Sequence, residues 1–174
     1  VFTPDLEAVR VRYGFPLFGP DGIAEPYIRH LRAYPIRRTL RFVPTTRFSG
    51  VVIYARGSYP ALGKDVEEPV RPALFPRIFD ERMQVVIEKD RCDPEALRSR
   101  GMVAYTDSLD IDEFAPRIGS FPLRILARGV FGAGGTDVII PDLDAGRLLA
   151  LPENRELLAT GRILIVVDDV DPWS

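Results

Sequence analysis

A glycine-rich loop near the end of the chain is the first feature whose residue types and spacing suit chemistry. Gly132, Gly134, Gly135 and Thr136 lie between two apolar runs. A loop with so little side chain can turn its backbone N–H groups towards an anion, so these residues form a candidate phosphate site. The spacing does not match a dinucleotide or P-loop fingerprint, because an apolar run follows it instead of a helix. A hairpin connection is therefore the preferred interpretation.

Carboxylates follow two of the apolar runs directly. Asp168 and Asp169 come after residues 163–167, and Asp142 comes after residues 138–140. Strand ends are common places for sites, and carboxylate oxygens are the ligands that Mg²⁺ and Ca²⁺ prefer. We therefore name Asp168, Asp169 and Asp142 as candidate ligands of a divalent cation. A solvated acidic surface is the simpler interpretation of the same residues.

Nucleophilic and acid–base chemistry has few candidates in this chain. It contains one histidine, His30, and one cysteine, Cys92. These numbers exclude an intramolecular disulfide and a two-histidine zinc site within one chain. Cys92 comes just before a predicted helix, a position that can lower the pKa of a thiol, but the sequence gives it no evident base. The sequence therefore leaves catalysis as an alternative only.

The composition is that of a globular protein, with 46% apolar residues, 28% charged residues and a formal net charge of −2. An acidic balance without a basic run provides no general attraction to nucleic acid. No apolar run is long enough to cross a membrane and the start is not a signal peptide, so we expect a cytoplasmic or otherwise soluble protein. Only Lys64 and Lys89 are lysines, and the abundant arginine is favoured in protein interfaces.

The longest apolar run, residues 163–167, organises the predicted fold. A run that is apolar at every position is typical of a strand buried on both faces, so we expect it at the centre of a sheet. Residues 123–130 and 138–140 are predicted strands on either side of the glycine loop. Residues 153–160 are a predicted helix, since good helix formers precede a glycine. For residues 146–151, helical turns and part of a hairpin both fit.

The first half of the chain contains further predicted elements. Residues 93–101 predict a short helix, because an aspartate can cap it, a proline follows and a glycine ends it. With predicted strands at residues 83–87 and 102–106, this helix forms a small crossover or α+β unit. Residues 37–43 alternate in polarity and residues 50–55 are β-branched and aromatic, which predicts a hairpin with a longer loop.

Two segments have little predicted regular structure. The N-terminal arm, about residues 1–26, is predicted to be extended, with a strand over residues 9–15 and helical turns at residues 25–34. Residues 57–76 contain four prolines and no clear element. Loops of this length in compact domains are usually binding loops, arms or lids.

Together these elements predict an α+β, β-rich single domain over residues 1–174, with a mixed sheet, two or three short helices and a long Pro-rich loop. The arm, the loop and the use of arginine favour a non-catalytic structural or interaction protein. It would self-associate as a homo-oligomer or bind a protein partner. The alternative is a small enzyme or ligand-binding domain that uses the carboxylates with Mg²⁺ or Ca²⁺, or the glycine loop with phosphate. We expect neither a nucleic-acid nor a membrane partner.

Overall fold

The computed structural model describes residues 13–40 and 42–170. The strands are, in chain order, β1 (Val51–Tyr54), β2 (Ser58–Pro60), β3 (Glu67–Pro69), β4 (Ile78–Asp80), β5 (Val85–Ile87), β6 (Ala104–Thr106), β7 (Leu123–Leu126), β8 (Gly129–Phe131), β9 (Asp137–Ile140) and β10 (Ile163–Val166). The helices are α1 (Glu25–Ile28), α2 (Pro94–Arg100), α3 (Ala115–Ile118), α4 (Asp142–Ala150) and α5 (Pro152–Ala159). Mixed sheets with short helices confirm the predicted α+β class, although the described residues form five α-helices instead of two or three.

The first sheet is four-stranded and parallel, in the order β6-β10-β1-β7. All four residues of β10 are buried. Ile163 and Ile165 join one apolar cluster, whereas Leu164 and Val166 join a second one that contains Val52. The sheet is thus covered on both faces, as parallel sheets require, and the predicted central position of this run is confirmed.

The second sheet is mixed, in the order β5-β4-β9-β8, with only β4 and β9 parallel. The larger apolar cluster includes Ile78 and Ile140 of this sheet together with Ile53 and Ile165 of the parallel sheet. The two sheets therefore share one core.

The prediction of one strand over residues 123–130 is wrong, because this segment changes sheets midway. Ala127 donates its N–H to Tyr54 of the parallel sheet, whereas the next residue, Arg128, donates to Ile139 of the mixed sheet. The apolar run therefore contributes β7 to one sheet and β8 to the other.

The predicted helices have clear local causes. Asp93 caps α2 by accepting a hydrogen bond from the Ala96 N–H at 2.8 Å, and Gly101 ends it at φ +74°. The predicted crossover unit is wrong, because β5 and β6 lie in different sheets. Helix α5 confirms the predicted C-terminal helix, and α4 shows that residues 146–150 are helical too. None of the helices in the described ranges is both long and apolar enough to cross a membrane.

The predicted hairpin of residues 37–43 and 50–55 is wrong. β1 forms as expected, but its neighbours are β7 and β10. The described residues of 37–43, which exclude Arg41, belong to no strand. They run instead along the outside of α4, where Thr39 donates its N–H to the Leu149 carbonyl at 3.4 Å.

The two segments with little predicted regular structure are partly held in place by contacts with neighbouring segments. Within residues 57–76, β2 and β3 pair as a short antiparallel hairpin, which the prolines had obscured. Residues 1–12 of the predicted arm lie outside the described residues, so the strand over 9–15 falls largely there. Residues 13–15 are not in a strand. From residue 16 onwards the arm folds back on α2, since Gly19 donates its N–H to the Arg98 carbonyl at 2.9 Å.

Candidate functional site

Residues 36–48, described except for Arg41, cross the outer face of α4 and we call them the strap. Val43 is only 7% exposed and packs against Gly146 of that helix. A Cβ atom at Gly146 would lie 3.1 Å from a methyl carbon of Val43, so the glycine allows this close approach. Thr45 adds a hydrogen bond from its hydroxyl to the Arg147 carbonyl at 3.2 Å. One face of the strap is thus fixed on the helix.

Asn154, in the first turn of α5, anchors the C-terminal part of the strap. Its Oδ1 accepts the Phe48 N–H at 3.1 Å, and its Nδ2 donates to the Thr46 carbonyl at 2.9 Å and to the Arg147 carbonyl at 3.1 Å. The side chain has no exposed surface. Because a buried amide must have its polar groups satisfied, this residue joins the strap to both C-terminal helices.

The opposite face of the strap points to solvent. Leu40 is 88% exposed and Phe42 is 91% exposed, and Arg38 lies on the same side. This is the alternation of a strand, with Thr39 and Val43 turned inward. Among the described residues of 37–43, only Thr39 has a backbone N–H that donates to a backbone carbonyl, so this segment forms no ladder of backbone hydrogen bonds. A strand pattern without a strand partner is the distinctive property of this segment.

A cavity of about 350 Å³ lies between the strap, the β4–β5 turn and α4, and we call it the groove. Its charged walls come from Arg37 and Arg38 of the strap, Arg82 of the turn, and two carboxylates. An ion pair of 2.7 Å joins Arg37 to Asp80, and another of 2.7 Å joins Arg82 to Asp142. Arg38 is the groove arginine without an ion pair among the described residues.

Asp80 holds the groove together at the end of β4. It is 6% exposed, and its Oδ1 accepts the backbone N–H groups of Arg82 at 3.1 Å and Gln84 at 2.8 Å. Its Oδ2 accepts from Arg37, whose Nε also donates to the Val85 carbonyl at 3.2 Å. One buried carboxylate therefore fixes both the tight turn and the start of the strap.

The glycine loop is the hairpin connection between β8 and β9, as preferred from the sequence. Gly132, Gly134 and Gly135 have φ of +86°, +84° and +70°, which explains why the turn needs glycine. Gly135 also accepts the Arg71 N–H at 3.0 Å, so the loop packs on the segment after β3. Thr136 is half-buried beside it. Phosphate binding by this loop stays a prediction.

The predicted metal ligands lie in separate surroundings. Asp142 pairs with Arg82, while Asp168 accepts from Arg56 Nε at 3.3 Å and from the Gly57 N–H at 2.7 Å. Asp169 is exposed at the end of the parallel sheet. Within residues 13–40 and 42–170, no group of three or more His, Cys, Asp or Glu side chains is arranged to hold a metal ion.

Cys92 is buried, and its thiol is not activated as a nucleophile. Burial raises the pKa of its thiol to about 12, and the charges of Asp93, Asp90 and Glu88 act in the same direction. The helix start next to it therefore does not produce a thiolate. His30, by contrast, is exposed on the surface.

A comparison with protein families places the chain. Residues 50–169 match the model of the second domain of Treponema pallidum Tp0624. The chain belongs to this family. None of the curated proteins compared with the chain matches it. The matched range includes both four-stranded sheets of the Tp0624 second-domain fold, and it begins directly after the strap.

The Tp0624 second-domain fold supplies the surface on which the strap lies. Asp80 and Asn154 belong to the matched range, whereas Arg37, the strap partner of Asp80, lies before it. Sequence analysis did not single out these three residues. The available signals were weak: Asp80 ends an apolar pair, Ile78 and Phe79, and Asn154 lies in a leucine-rich segment.

Proposed function

We propose that this member of the Tp0624 second-domain family is a non-catalytic protein-interaction domain. Its strap would pair with an extended, acidic segment of a partner protein. The observation that carries the proposal is the strap itself, which has a strand's alternation, two almost fully exposed apolar side chains and no strand partner within the described residues. Adding a strand from another chain is a common mode of peptide recognition, because backbone hydrogen bonds and alternate side chains both contribute.

The apolar contribution comes from Leu40 and Phe42. Full burial of a leucine or phenylalanine side chain stabilises a complex by about 1.5–3 kcal/mol relative to exposure. Both side chains project from a segment that is already fixed by Val43 and Asn154, so binding orders little additional chain. A small docking surface of this kind supports a transient complex.

The charge of the strap favours an acidic partner. Arg38 is exposed and forms no ion pair among the described residues, and Arg47 forms an exposed ion pair with Glu153. A second copy fits less well, since side-by-side pairing of two straps brings the exposed Arg38 of one copy near that of the other. Self-association is therefore the alternative form of the same function.

Fluorescence anisotropy with a labelled peptide of alternating Asp or Glu and Val tests this proposal. A peptide of the same composition with its acidic and apolar residues in separate blocks is the peptide control. We expect saturable binding of the alternating peptide only. The Leu40→Ser/Phe42→Ser variant should weaken this binding by about tenfold or more, the equivalent of about 1.4 kcal/mol.

The control variant is Leu109→Ser/Leu126→Ser, whose leucines are 63% and 65% exposed away from the strap. It should bind as the unchanged protein does. Equal binding of both peptides, or equal loss in both variants, would contradict docking on the strap. A dimer in light scattering that the Leu40→Ser/Phe42→Ser variant dissociates would identify a second copy as the partner instead.

A ligand-binding domain is the second candidate, and one atom favours it. Asp142 Oδ1 is buried at the groove and has no hydrogen-bond partner among the described residues. A cation or a donor group in the groove would satisfy it. Thermal melting with Mg²⁺ or Ca²⁺ tests this candidate, since a ligand at 100 times its dissociation constant adds about 2.7 kcal/mol. No shift, or an equal shift in Asp142→Asn, would contradict it.

A further inference from the structure

A second cavity, of about 620 Å³, lies beside the edge strand β6, and its lining residues lie outside the strap. Its walls come from β6, the end of α2, helix α3 and the segment before β4. The lining includes Phe18, Leu74, Arg100, Val103, Tyr105 and Arg117. This volume is within the range of small-molecule sites.

The inner wall is apolar and fixed. Val103 is 6% exposed, Leu74 is half-buried, and the Phe18 ring lies against Gly101, where a Cβ atom would be 2.2 Å from the ring. The Tyr105 hydroxyl accepts the Ala73 N–H at 3.1 Å, which holds the ring in place. Burial raises the pKa of Tyr105, so its hydroxyl stays neutral.

Arg117 supplies an unusual charge to this cavity. Its Nη1 donates to the Arg100 carbonyl at 2.8 Å and its Nη2 donates to the Gly101 carbonyl at 2.9 Å. Its Nε is buried and has no hydrogen-bond partner among the described residues. In the part of the chain that the structure describes, no carboxylate forms an ion pair with Arg117.

Both carbonyl contacts lie at the end of α2, so Arg117 also favours the C-terminus of that helix. That structural role uses only the two terminal nitrogens. Burial and the neighbouring Arg100 lower the pKa of Arg117 to about 10, which still leaves it protonated at neutral pH. A half-buried cation that forms no ion pair among the described residues, with a second arginine beside it, is an arrangement that an anion stabilises.

We propose that this cavity binds a small amphipathic carboxylate, a molecule with an apolar body and one anionic head. The head lies against Arg117 and Arg100, and the body lies along Leu74, Val103 and Phe18. Arginine suits this task because its planar fork matches a carboxylate and loses little on desolvation. The inference is independent of the strap and of the proposed protein partner.

Isothermal titration calorimetry with decanoate, decanol and decyltrimethylammonium tests the inference, each kept below its micelle concentration. These probes share one apolar body and differ in the charge of the head. We expect one decanoate per chain, bound at least about tenfold more tightly than decanol, as charge-assisted hydrogen bonds imply. No saturable binding of decanoate up to about 1 mM, or equal binding of all three probes, would overturn it.

Variants then test the two parts of the site. Arg100→Gln changes an exposed residue and should weaken decanoate binding by about two- to fivefold, the range of exposed charge contacts. Leu74→Ala should weaken decanoate and decanol alike, because it removes apolar wall. Arg117→Lys keeps the charge but loses the fork, so it should weaken decanoate more than decanol.

Arg128→Gln is the matched control, since this arginine is exposed beside the other sheet. It should bind decanoate as the unchanged protein does. Circular dichroism melting of each variant shows that the fold is retained. The proposal is overturned if the three variants Arg100→Gln, Arg117→Lys and Leu74→Ala all bind decanoate with unchanged affinity, because the probe then binds elsewhere.

Discussion

At the scale of single residues, Asn154 is the side chain on which the strap most depends. Replacing it with alanine leaves the half-buried Phe48 N–H and two carbonyl groups without this partner. We therefore expect Asn154→Ala to lower the free energy of unfolding by about 1–3 kcal/mol. Urea unfolding measures this change. Asp65→Ala, at an exposed residue, is the control, and an equally small effect in both variants would contradict the anchoring role.

Cys92 gives a prediction about pH. Its thiol has a raised pKa of about 12 in the folded protein, against 9.0 for an ordinary thiol. The folded state therefore resists ionisation, so this residue stabilises the fold fully below the unfolded pKa and loses that contribution as pH rises above it. We expect the free energy of unfolding to fall between about pH 9 and about pH 12, the unfolded and folded pKa values of this thiol, and to fall less steeply in Cys92→Ala. Parallel pH profiles of the two proteins would contradict this.

At the scale of elements, β10 should contribute far more to stability than the outer end of β7. Ile165 has no exposed surface, whereas Leu126 is 65% exposed. We expect Ile165→Ala to cost about 2–5 kcal/mol, because it leaves a cavity at the centre of the sheet. Leu126→Ala should change stability by about 0.5 kcal/mol or less. Chemical denaturation measures both, and similar losses would contradict the central position of β10.

Elements that depend on local signals were predictable from the sequence. The cap at Asp93 and the glycine at position 101 define α2, and the uniform apolar run defines β10. Strand partners were not predictable, because pairing depends on contacts that are distant in the chain. The switch at Ala127 and Arg128 is an example, since two neighbouring N–H groups bond to different sheets without any change in residue pattern.

The strap shows the same limit for the candidate site. Alternation over residues 37–43 predicts a strand, and the alternation is present, yet no strand of the described chain pairs with it. The exposure of Leu40 and Phe42 follows from their opposite face being fixed on α4. Anchors such as Asp80 and Asn154 were missed because a single buried polar residue has no periodic signal. Asp142 and Asp168 follow strands, as the sequence indicated. Within the described residues, however, no group of three or more such side chains is arranged to hold a metal ion.

At the scale of the whole molecule, the Tp0624 second-domain fold holds a strap that lies outside the matched residues. The two sheets share a core, and α4 and α5 present the strap on its outer side. The second cavity lies at the edge strand β6, with a different set of charges. We therefore propose that this two-sheet body has one surface for a protein segment and one cavity for a small carboxylate.

Hydrogen exchange of the strap amides tests the central claim most directly. In the free protein, the amides of residues 38, 40 and 42 should exchange quickly, while those of β10 should be strongly protected. Saturation with the alternating acidic peptide should slow exchange in the strap and leave β10 unchanged. Docking by strand addition would be contradicted if the strap amides were already protected from exchange in the free protein. It would also be contradicted if the bound peptide did not slow their exchange.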